Sequence, residues 1–158
     1  MTTGAALIAV VVMLLLNAFF VLAEFAMVKL RPTQVEARVQ QGNPRAHIQA
    51  HLDEYLSVCQ LGITLASIGL GFVGEPAFAV LLEPILGSWV WAHGAAIALA
   101  YLTVSFLHIL FGELVPKSIA LQRAERLAIA LAWPIDLLGR IAHPLVWLLQ
   151  TSSNAVVR

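Results

Sequence analysis

The sequence predicts an all-α integral membrane protein with three transmembrane helices, and three observations lead to this fold class. Of its 158 residues, 60% are apolar and only 11% are charged, against about a quarter charged in a typical soluble domain. Three apolar stretches free of Asp, Glu, Lys and Arg are each long enough to cross a bilayer as a helix. Lys and Arg gather after the first and third stretches, as expected for short cytoplasmic loops.

The first predicted span covers residues 5–29. Its apolar part, 5–23, contains one strongly polar residue, Asn17. At about 1.5 Å per residue this part alone covers roughly 28 Å, which matches the hydrocarbon thickness of a bilayer. A cleaved signal peptide is the alternative, but no positive charge precedes Lys29 and the apolar stretch exceeds the usual signal core.

The second and third predicted spans cover residues 55–73 and 94–114. Between them, residues 71–87 carry two Glu-Pro pairs within a short apolar segment. This pattern indicates a broken surface or re-entrant half-helix. The glycines near 69–74 further indicate a local unwinding that would release carbonyl oxygens, which transporters use to bind cations.

Two juxtamembrane regions are predicted on the cytoplasmic side, over residues 33–53 and 125–150. In the first, Thr33 and Glu36 have capping-box spacing for a short helix. In the second, two prolines and two charged residues interrupt an apolar stretch, which favours a bent helical belt at the interface because such residues are costly in hydrocarbon. A fourth span there is the alternative.

The distribution of Lys and Arg predicts the orientation in a cell membrane. Four lie within residues 29–45, residues 46–116 contain none, and five follow Pro116. Cytoplasmic loops hold the excess of positive charge. The amino terminus is therefore predicted outside, and the loop 29–54 and the carboxyl terminus in the cytoplasm.

Several function classes have little support in the composition. Nine Lys and Arg balance nine Asp and Glu, so the basic excess of a nucleic-acid binder is missing. Cys59 is the single cysteine, which excludes an internal disulfide. His47 and His51 have a helical spacing but no third metal ligand around them. No Ser-His-acid order or phosphate-binding glycine loop is visible, so we do not expect an enzyme.

Asn17 and Glu24 are the polar residues of the first span, and their separation of seven places both on one helical face. A carboxylate at membrane depth is a candidate for an ion pathway. The alternative is structural: Glu24 extends to the interface and meets Lys29 or Arg31, and Asn17 bridges packed helices.

A polar stripe runs along the second span, through Ser57, Gln60, Thr64 and Ser67. Their spacing of three and four residues places them on one helical face. Together with nearby small residues such as Gly62, the stripe also fits a purely structural packing seam.

The third span closes with Gly112, Glu113, Pro116 and Lys117. Because proline has no amide hydrogen, the carbonyl four residues before it, that of Gly112, loses its helical donor. A free carbonyl beside the carboxylate of Glu113 is a plausible pair of ligands for a hard cation. Alternatively, Glu113 and Lys117 pair on an exposed helical turn.

Three stretches of the chain resemble the membrane domain of the CNNM/CorC magnesium-transport proteins, whose bacterial members are also called hemolysin-like. They are NAFFVLAEFAMVKLR, SVCQLGITLASIGLGFVGEP and FGELVPKSIAL. The resemblance implies a homodimer in the lipid bilayer, with three spans per subunit and a Mg²⁺ site among them. Members usually continue into cytoplasmic CBS domains that can bind ATP, which this chain does not contain.

The resemblance also implies a set of metal-site residues. The resemblance places the metal site at Asn17, Glu24, Gly112 and Glu113. The helix-break residues Gly62 and Pro116, with Lys117 beside them, also match the sequences of the family. Val21 and Ala23 stand where relatives often have serine, and Ile63 stands where they have asparagine. Gln60 and Thr64 are the nearest polar substitutes.

Two functions are therefore expected. The first is a divalent-cation transporter or exchanger, for Mg²⁺, which binds the ion between its spans. The second is a non-transporting membrane anchor and dimerisation module for cytoplasmic CBS domains, which the missing oxygen donors favour.

Overall fold

The structure is a computed structural model that describes residues 2–30, 48, 51–87 and 91–157. These residues form an all-α fold, without a strand in any of these ranges. The helices are α1 (Thr3–Val28), α2 (Leu52–Leu86), α3 (Ala92–Leu107), α4 (Val115–Gln122) and α5 (Ala124–Val157), with a π-helical segment (His108–Leu114) between α3 and α4. The capping box at Thr33 and most of the predicted helical region 33–53 lie outside the described residues.

Three helical stretches are long and apolar enough to cross a membrane: Thr3–Val28, Leu52–Leu86 and Ala92–Leu149. Large apolar side chains point away from the protein along them, with Phe72 83% exposed. Such exposure would be unfavourable in water and is expected for helices surrounded by lipid tails. The predicted fold class, an all-α membrane protein with three spans, is confirmed.

The chain divides into two compact units. Unit one consists of Met1–Phe19 and Ile63–Pro116, and unit two of Phe20–Gly62 and Lys117–Arg158. The apolar core of unit one is formed by four buried residues, with side chains of α1 and α2 packed around them. These core residues are Val10, Leu70, Ala77 and Val104.

Small residues set the packing within unit one. Ala96, Ala100 and Val104 of α3 are buried at intervals of four, so they lie on one face of the helix. A Cβ atom at Gly74 of α2 would lie only 2.9 Å from Cγ1 of Val104. The absence of a side chain at Gly74 therefore permits this close approach of α2 to α3.

Unit two has close contacts of its own. A Cβ at Gly62 would lie 2.5 Å from the tip of the Phe20 ring. The ammonium nitrogen of Lys117 lies 5.0 Å from the centre of the Phe25 ring, within the range of a cation–π interaction. The Lys29 ammonium donates a hydrogen bond to a backbone carbonyl of α4.

The prediction of a broken segment over residues 71–87 is wrong, as is the expected unwinding near 69–74. Helix α2 continues without interruption through Pro76 and Pro84. Helix α2 ends before Gly87, whose φ is 74°. Glycine adopts this left-handed backbone conformation at low energetic cost and so commonly ends a helix. Each proline removes one backbone hydrogen bond, whereas apolar surroundings oblige the other backbone groups to keep theirs.

The last helix also passes through its prolines. α5 runs from Ala124 to Val157 with Pro134 and Pro144 inside it, where the sequence predicts a helical belt over 125–150. Asp136 and Arg140 form an exposed ion pair at 2.8 Å on this helix. The position of α5 at the membrane interface stays a prediction.

We expect Gly74→Ala to lower the melting temperature in detergent, by the equivalent of about 1–3 kcal/mol in the free energy of unfolding. The new methyl group would collide with Val104, whose branched side chain is restricted at χ1. Gly71→Ala is the matched control, because a Cβ there meets nothing within 4 Å. Equal melting temperatures for the two variants would contradict the proposed close packing.

Candidate functional site

A buried polar cluster lies within unit one, with Asn17 at its centre. Asn17 is 1% exposed, and its amide nitrogen donates a hydrogen bond of 3.0 Å to the carbonyl oxygen of Gly112. Its amide oxygen accepts a hydrogen bond of 3.0 Å from the hydroxyl of Ser67. The same hydroxyl oxygen lies 3.3 Å from Nε2 of His108. We call these four residues the Asn17 cluster.

The local backbone explains why Gly112 can accept from a side chain. Pro116 is four residues further on and has no amide hydrogen, so Gly112 lacks the usual α-helical donor. The segment around it is π-helical, and the amide of Val115 bonds to the carbonyl of Leu110. Such π-helical segments often occur at functional sites. The Gly112 carbonyl, which loses its α-helical donor to Pro116, thus receives a hydrogen bond from Asn17 of α1.

Glycine is required at position 112 by the space around it. A Cβ there would lie 2.8 Å from Cδ2 of His108 and 2.9 Å from the Asn17 amide nitrogen. Both distances are shorter than a van der Waals contact. The hydrogen bond between Asn17 and Gly112 therefore depends on the missing side chain.

The directions of the hydrogen bonds follow from one fixed acceptor. A backbone carbonyl can only accept, so the nitrogen of the Asn17 amide points at Gly112 and the oxygen points at Ser67. The single hydroxyl proton of Ser67 is then donated to Asn17. The Ser67 oxygen can then accept from His108 in the tautomer that carries its hydrogen on Nε2.

Other predicted site residues of unit one lie outside this network. Thr64 is exposed, Glu113 is half-buried in the π-helical segment, and Pro116 is buried. Thr64 and Glu113 both have interaction partners, but neither supplies a hydrogen bond to Asn17. Glu113 directly follows Gly112 in the sequence, so a carboxylate stands on the residue next to the Gly112 carbonyl.

Four predicted residues belong to unit two. Glu24 and Lys117 are half-buried, Gln60 is exposed, and Gly62 is buried. Two positions where the resemblance implies serine are filled by tightly packed apolar side chains, with Val21 2% and Ala23 0% exposed.

The described residues contain no group of three or more His, Cys, Asp or Glu side chains placed to hold a metal ion. A cation at the Asn17 cluster would therefore be bound mainly by amide, carbonyl and hydroxyl oxygens. Hard cations such as Mg²⁺ accept oxygen ligands of this kind and usually retain several water molecules.

Sequence reasoning missed two members of the cluster. Ser67 belongs to the predicted polar stripe, but Gln60 and Thr64 were preferred as ligands. His108 belongs to no motif that the sequence reveals. His108 lies four residues before Gly112, a spacing that places both residues on the same helical face. This spacing is the signal that could have identified His108.

Comparison with known proteins assigns the family. Residues 7–158 match the family model described as the cyclin M (CNNM) transmembrane N-terminal domain. The chain therefore belongs to the CNNM family of membrane domains.

Among its relatives is UPF0053 protein YhdP of Bacillus subtilis, 41% identical over 162 residues, which cover 96% of this chain and 36% of the relative. UPF0053 protein YhdT of the same organism is 43% identical over 157 residues, which cover 94% of this chain and 34% of the relative. A polyamine export protein of Haemophilus influenzae is 27% identical over 161 residues, which cover 96% of this chain and 37% of the relative. The chain spans about a third of the length of these relatives.

We expect Gly112→Ala to destabilise the protein in detergent by about 1–3 kcal/mol, because the added methyl group pushes Asn17 away from its acceptor. Gly94→Ala is the control, since a Cβ at that glycine meets nothing within 4 Å. The measurement is the melting temperature of each variant. A Gly112→Ala protein as stable as the Gly94→Ala protein would refute the tight packing of the cluster.

Proposed function

We propose that this chain is the membrane domain of a transporter that carries a divalent cation, Mg²⁺, across the cell membrane. One observation carries the proposal. A buried amide and a backbone carbonyl whose α-helical donor is replaced by Pro116 meet at 3.0 Å, inside helices that can span a bilayer. Membership of the CNNM family agrees with a transporter-like role.

The chemistry of these oxygens suits a cation. The carbonyl oxygen of Gly112 and the amide oxygen of Asn17 each accept a side-chain hydrogen bond in the structure, and such oxygens have two lone pairs. Glu113 can add a negative charge at the adjacent position. Mg²⁺ would complete its octahedral shell with retained water molecules, and transport needs no covalent step.

The remaining predicted ligands are proposed as parts of the cargo's path. Glu24, Gln60 and Thr64 are polar residues of the first two spans, where such side chains commonly line ion pathways. We assign no direct ligand role to Gly62 or Lys117.

An organic cation is a second possible cargo. One relative is named a polyamine export protein. The ammonium groups of a polyamine donate hydrogen bonds, and carbonyl, amide and carboxylate oxygens accept them. The oxygens that favour Mg²⁺ thus also suit a polyamine.

A non-transporting anchor is the competing function, and one observation favours it. Every buried side-chain nitrogen and oxygen in the described part of the chain has a hydrogen-bond partner. The Asn17 cluster could therefore serve only to join helices, as polar residues in membranes often do. In that case the domain would form a homodimer and position cytoplasmic CBS domains.

Transport can be measured in liposomes that contain a Mg²⁺-sensitive dye. We expect Glu113→Gln and Asn17→Ala to reduce Mg²⁺ flux at least about tenfold, because each removes an oxygen ligand or its charge. Glu83→Gln is the matched control, since this exposed carboxylate pairs with His93 at 2.6 Å. Unchanged flux in both Glu113→Gln and Asn17→Ala would show that these ligands are wrong.

Parallel liposomes loaded with radiolabelled spermidine distinguish the two cargos. Flux of spermidine without flux of Mg²⁺ would assign a polyamine as the cargo. If the parent protein carries neither cation, the anchor function replaces the transporter.

We further propose that the domain forms a homodimer, as the family resemblance implies, with its amino terminus outside and its carboxyl terminus in the cytoplasm. The Lys and Arg distribution supports this orientation. A reporter fused after Arg158 should be active only in the cytoplasm. An outside location would instead support a fourth span through α5.

A further inference from the structure

A cavity of about 430 Å³ lies in unit two, between the beginning of α2 and the middle of α5. Its apolar lining residues Val58 and Ile135 are buried. At Gly139 of α5 a Cβ atom would lie 3.3 Å from Cγ2 of Val58, so the two helices pack closely beside the cavity. The cavity is therefore a pocket between packed helices, and the proposed transport function gives it no role.

The polar residues that line the cavity offer both signs of charge. Glu54 and Asp136 carry carboxylates, and Arg140 carries a guanidinium group that donates a hydrogen bond of 2.8 Å to Asp136. His51 and His143 add two imidazoles. With the imidazoles neutral, the lining has two negative charges against one positive charge. A ligand with a cationic group next to an anionic group would match this arrangement.

A single metal ion is not the ligand that this lining favours. In the ranges that the structure describes, no three side chains of His, Cys, Asp or Glu are placed to hold a metal ion together. The lining residues instead follow one face of each helix, at intervals of three or four residues. They include Glu54 and Val58 on α2 and Asp136, Arg140 and His143 on α5. A ligand with two separate charged groups uses such an extended lining better than one ion does.

Two tryptophans of α5 indicate where the cavity lies in the membrane. Trp133, Arg140 and Trp147 are spaced by seven residues, so they share one helical face. The tryptophans are 74% and 60% exposed, and such side chains gather at the boundary between lipid tails and water. They are separated by about 21 Å of helix. If α5 crossed the membrane, Arg140 would lie halfway between them, deep in the hydrocarbon, where a charge is costly. A helix parallel to the membrane instead puts all three side chains, and the cavity, at the level of the lipid headgroups.

We propose that this cavity binds the headgroup of phosphatidylethanolamine, a phospholipid that carries a primary ammonium group beside its phosphate. The ammonium group donates hydrogen bonds to Glu54 and Asp136, and the phosphate accepts from Arg140, which has donors besides the one bound to Asp136. Leu137 and Ile141 are exposed on the same helix and contact the acyl chains. This binding does not depend on the transported cargo.

The lining distinguishes this headgroup from two other common ones. Phosphatidylglycerol has no ammonium group to balance the additional carboxylate. Phosphatidylcholine has a cationic group, but its nitrogen carries methyl groups and has no hydrogen to donate. Phosphatidylethanolamine offers both the charge and the N–H donors.

The preference can be measured by native mass spectrometry of the full chain in detergent. Equal amounts of the three phospholipids, with identical acyl chains, are added, and the lipids that remain bound are counted. We expect phosphatidylethanolamine to be retained about tenfold more than either of the others. Equal retention of the three would overturn the proposal.

A soluble ligand with the same chemistry is distinguished from the lipid by melting temperatures in lipid-free detergent. Phosphatidylethanolamine should raise the melting temperature, because it binds the folded state. Phosphoethanolamine at the same concentration should not, since it lacks acyl chains. An equal rise with phosphoethanolamine would assign the cavity to a soluble ligand instead.

Two variants separate the contacts to the ammonium and phosphate groups. Glu54→Gln should lower the preference for phosphatidylethanolamine over phosphatidylcholine about tenfold, to near parity. Asp53→Asn is the matched control, because Asp53 is an exposed acid of the same first turn that does not line the cavity. Arg140→Gln should reduce retention of all three lipids, since each contains a phosphate. Identical preferences in Glu54→Gln and Asp53→Asn, or unchanged retention in Arg140→Gln, would contradict the headgroup site.

The depth of α5 is tested with spin labels on the full chain in lipid nanodiscs. Trp133→Cys and Trp147→Cys are labelled singly, and the parent protein is the control for the buried Cys59. Both labels should report the same depth, at the headgroups. A difference approaching 20 Å would show that α5 crosses the membrane, and the proposal would fail.

Discussion

The unit-one site depends on one requirement: the nitrogen and the oxygen of an amide buried in apolar helices must each find a hydrogen-bond partner inside the protein. Asn17 is almost completely buried, and hydrocarbon offers no water to replace a missing partner. Its nitrogen and oxygen therefore hold a backbone carbonyl and a serine hydroxyl from two other segments of unit one. The helix positions around the cluster follow from satisfying this single side chain.

The backbone around Gly112 is adapted to the same requirement. Pro116 removes the ordinary helical donor, the π-helical segment changes the local bonding pattern, and the missing side chain leaves space for Asn17. The consequence is a carbonyl oxygen that is directed at a neighbouring helix. A carbonyl in this position stabilises the fold through its bond to Asn17, and the proposed transport function uses the same oxygen as a cation ligand.

The candidate site of this chain offers neutral oxygens from an amide, a carbonyl and a hydroxyl. In the described residues the metal-binding side chains are not grouped in threes or more, and two positions expected to carry serine are packed by Val21 and Ala23. A weakly charged set of oxygens would bind a partly hydrated Mg²⁺ or an ammonium group more readily than a fully dehydrated ion. In the proposed transport function, this weak charge is the property that decides between a hydrated metal ion and an organic cation.

The sequence by itself determined the three spans, the polar character of Asn17 and the loss of the helical donor to Gly112. These features are local, since they follow from hydropathy, from the length of apolar runs and from the chemistry of one proline. The tertiary structure decided that Ser67 and His108, not Thr64, complete the cluster, and that α2 continues through its prolines. Residues spaced by three and four share one helical face, so only the packing of that face against other helices selects which of them meets Asn17.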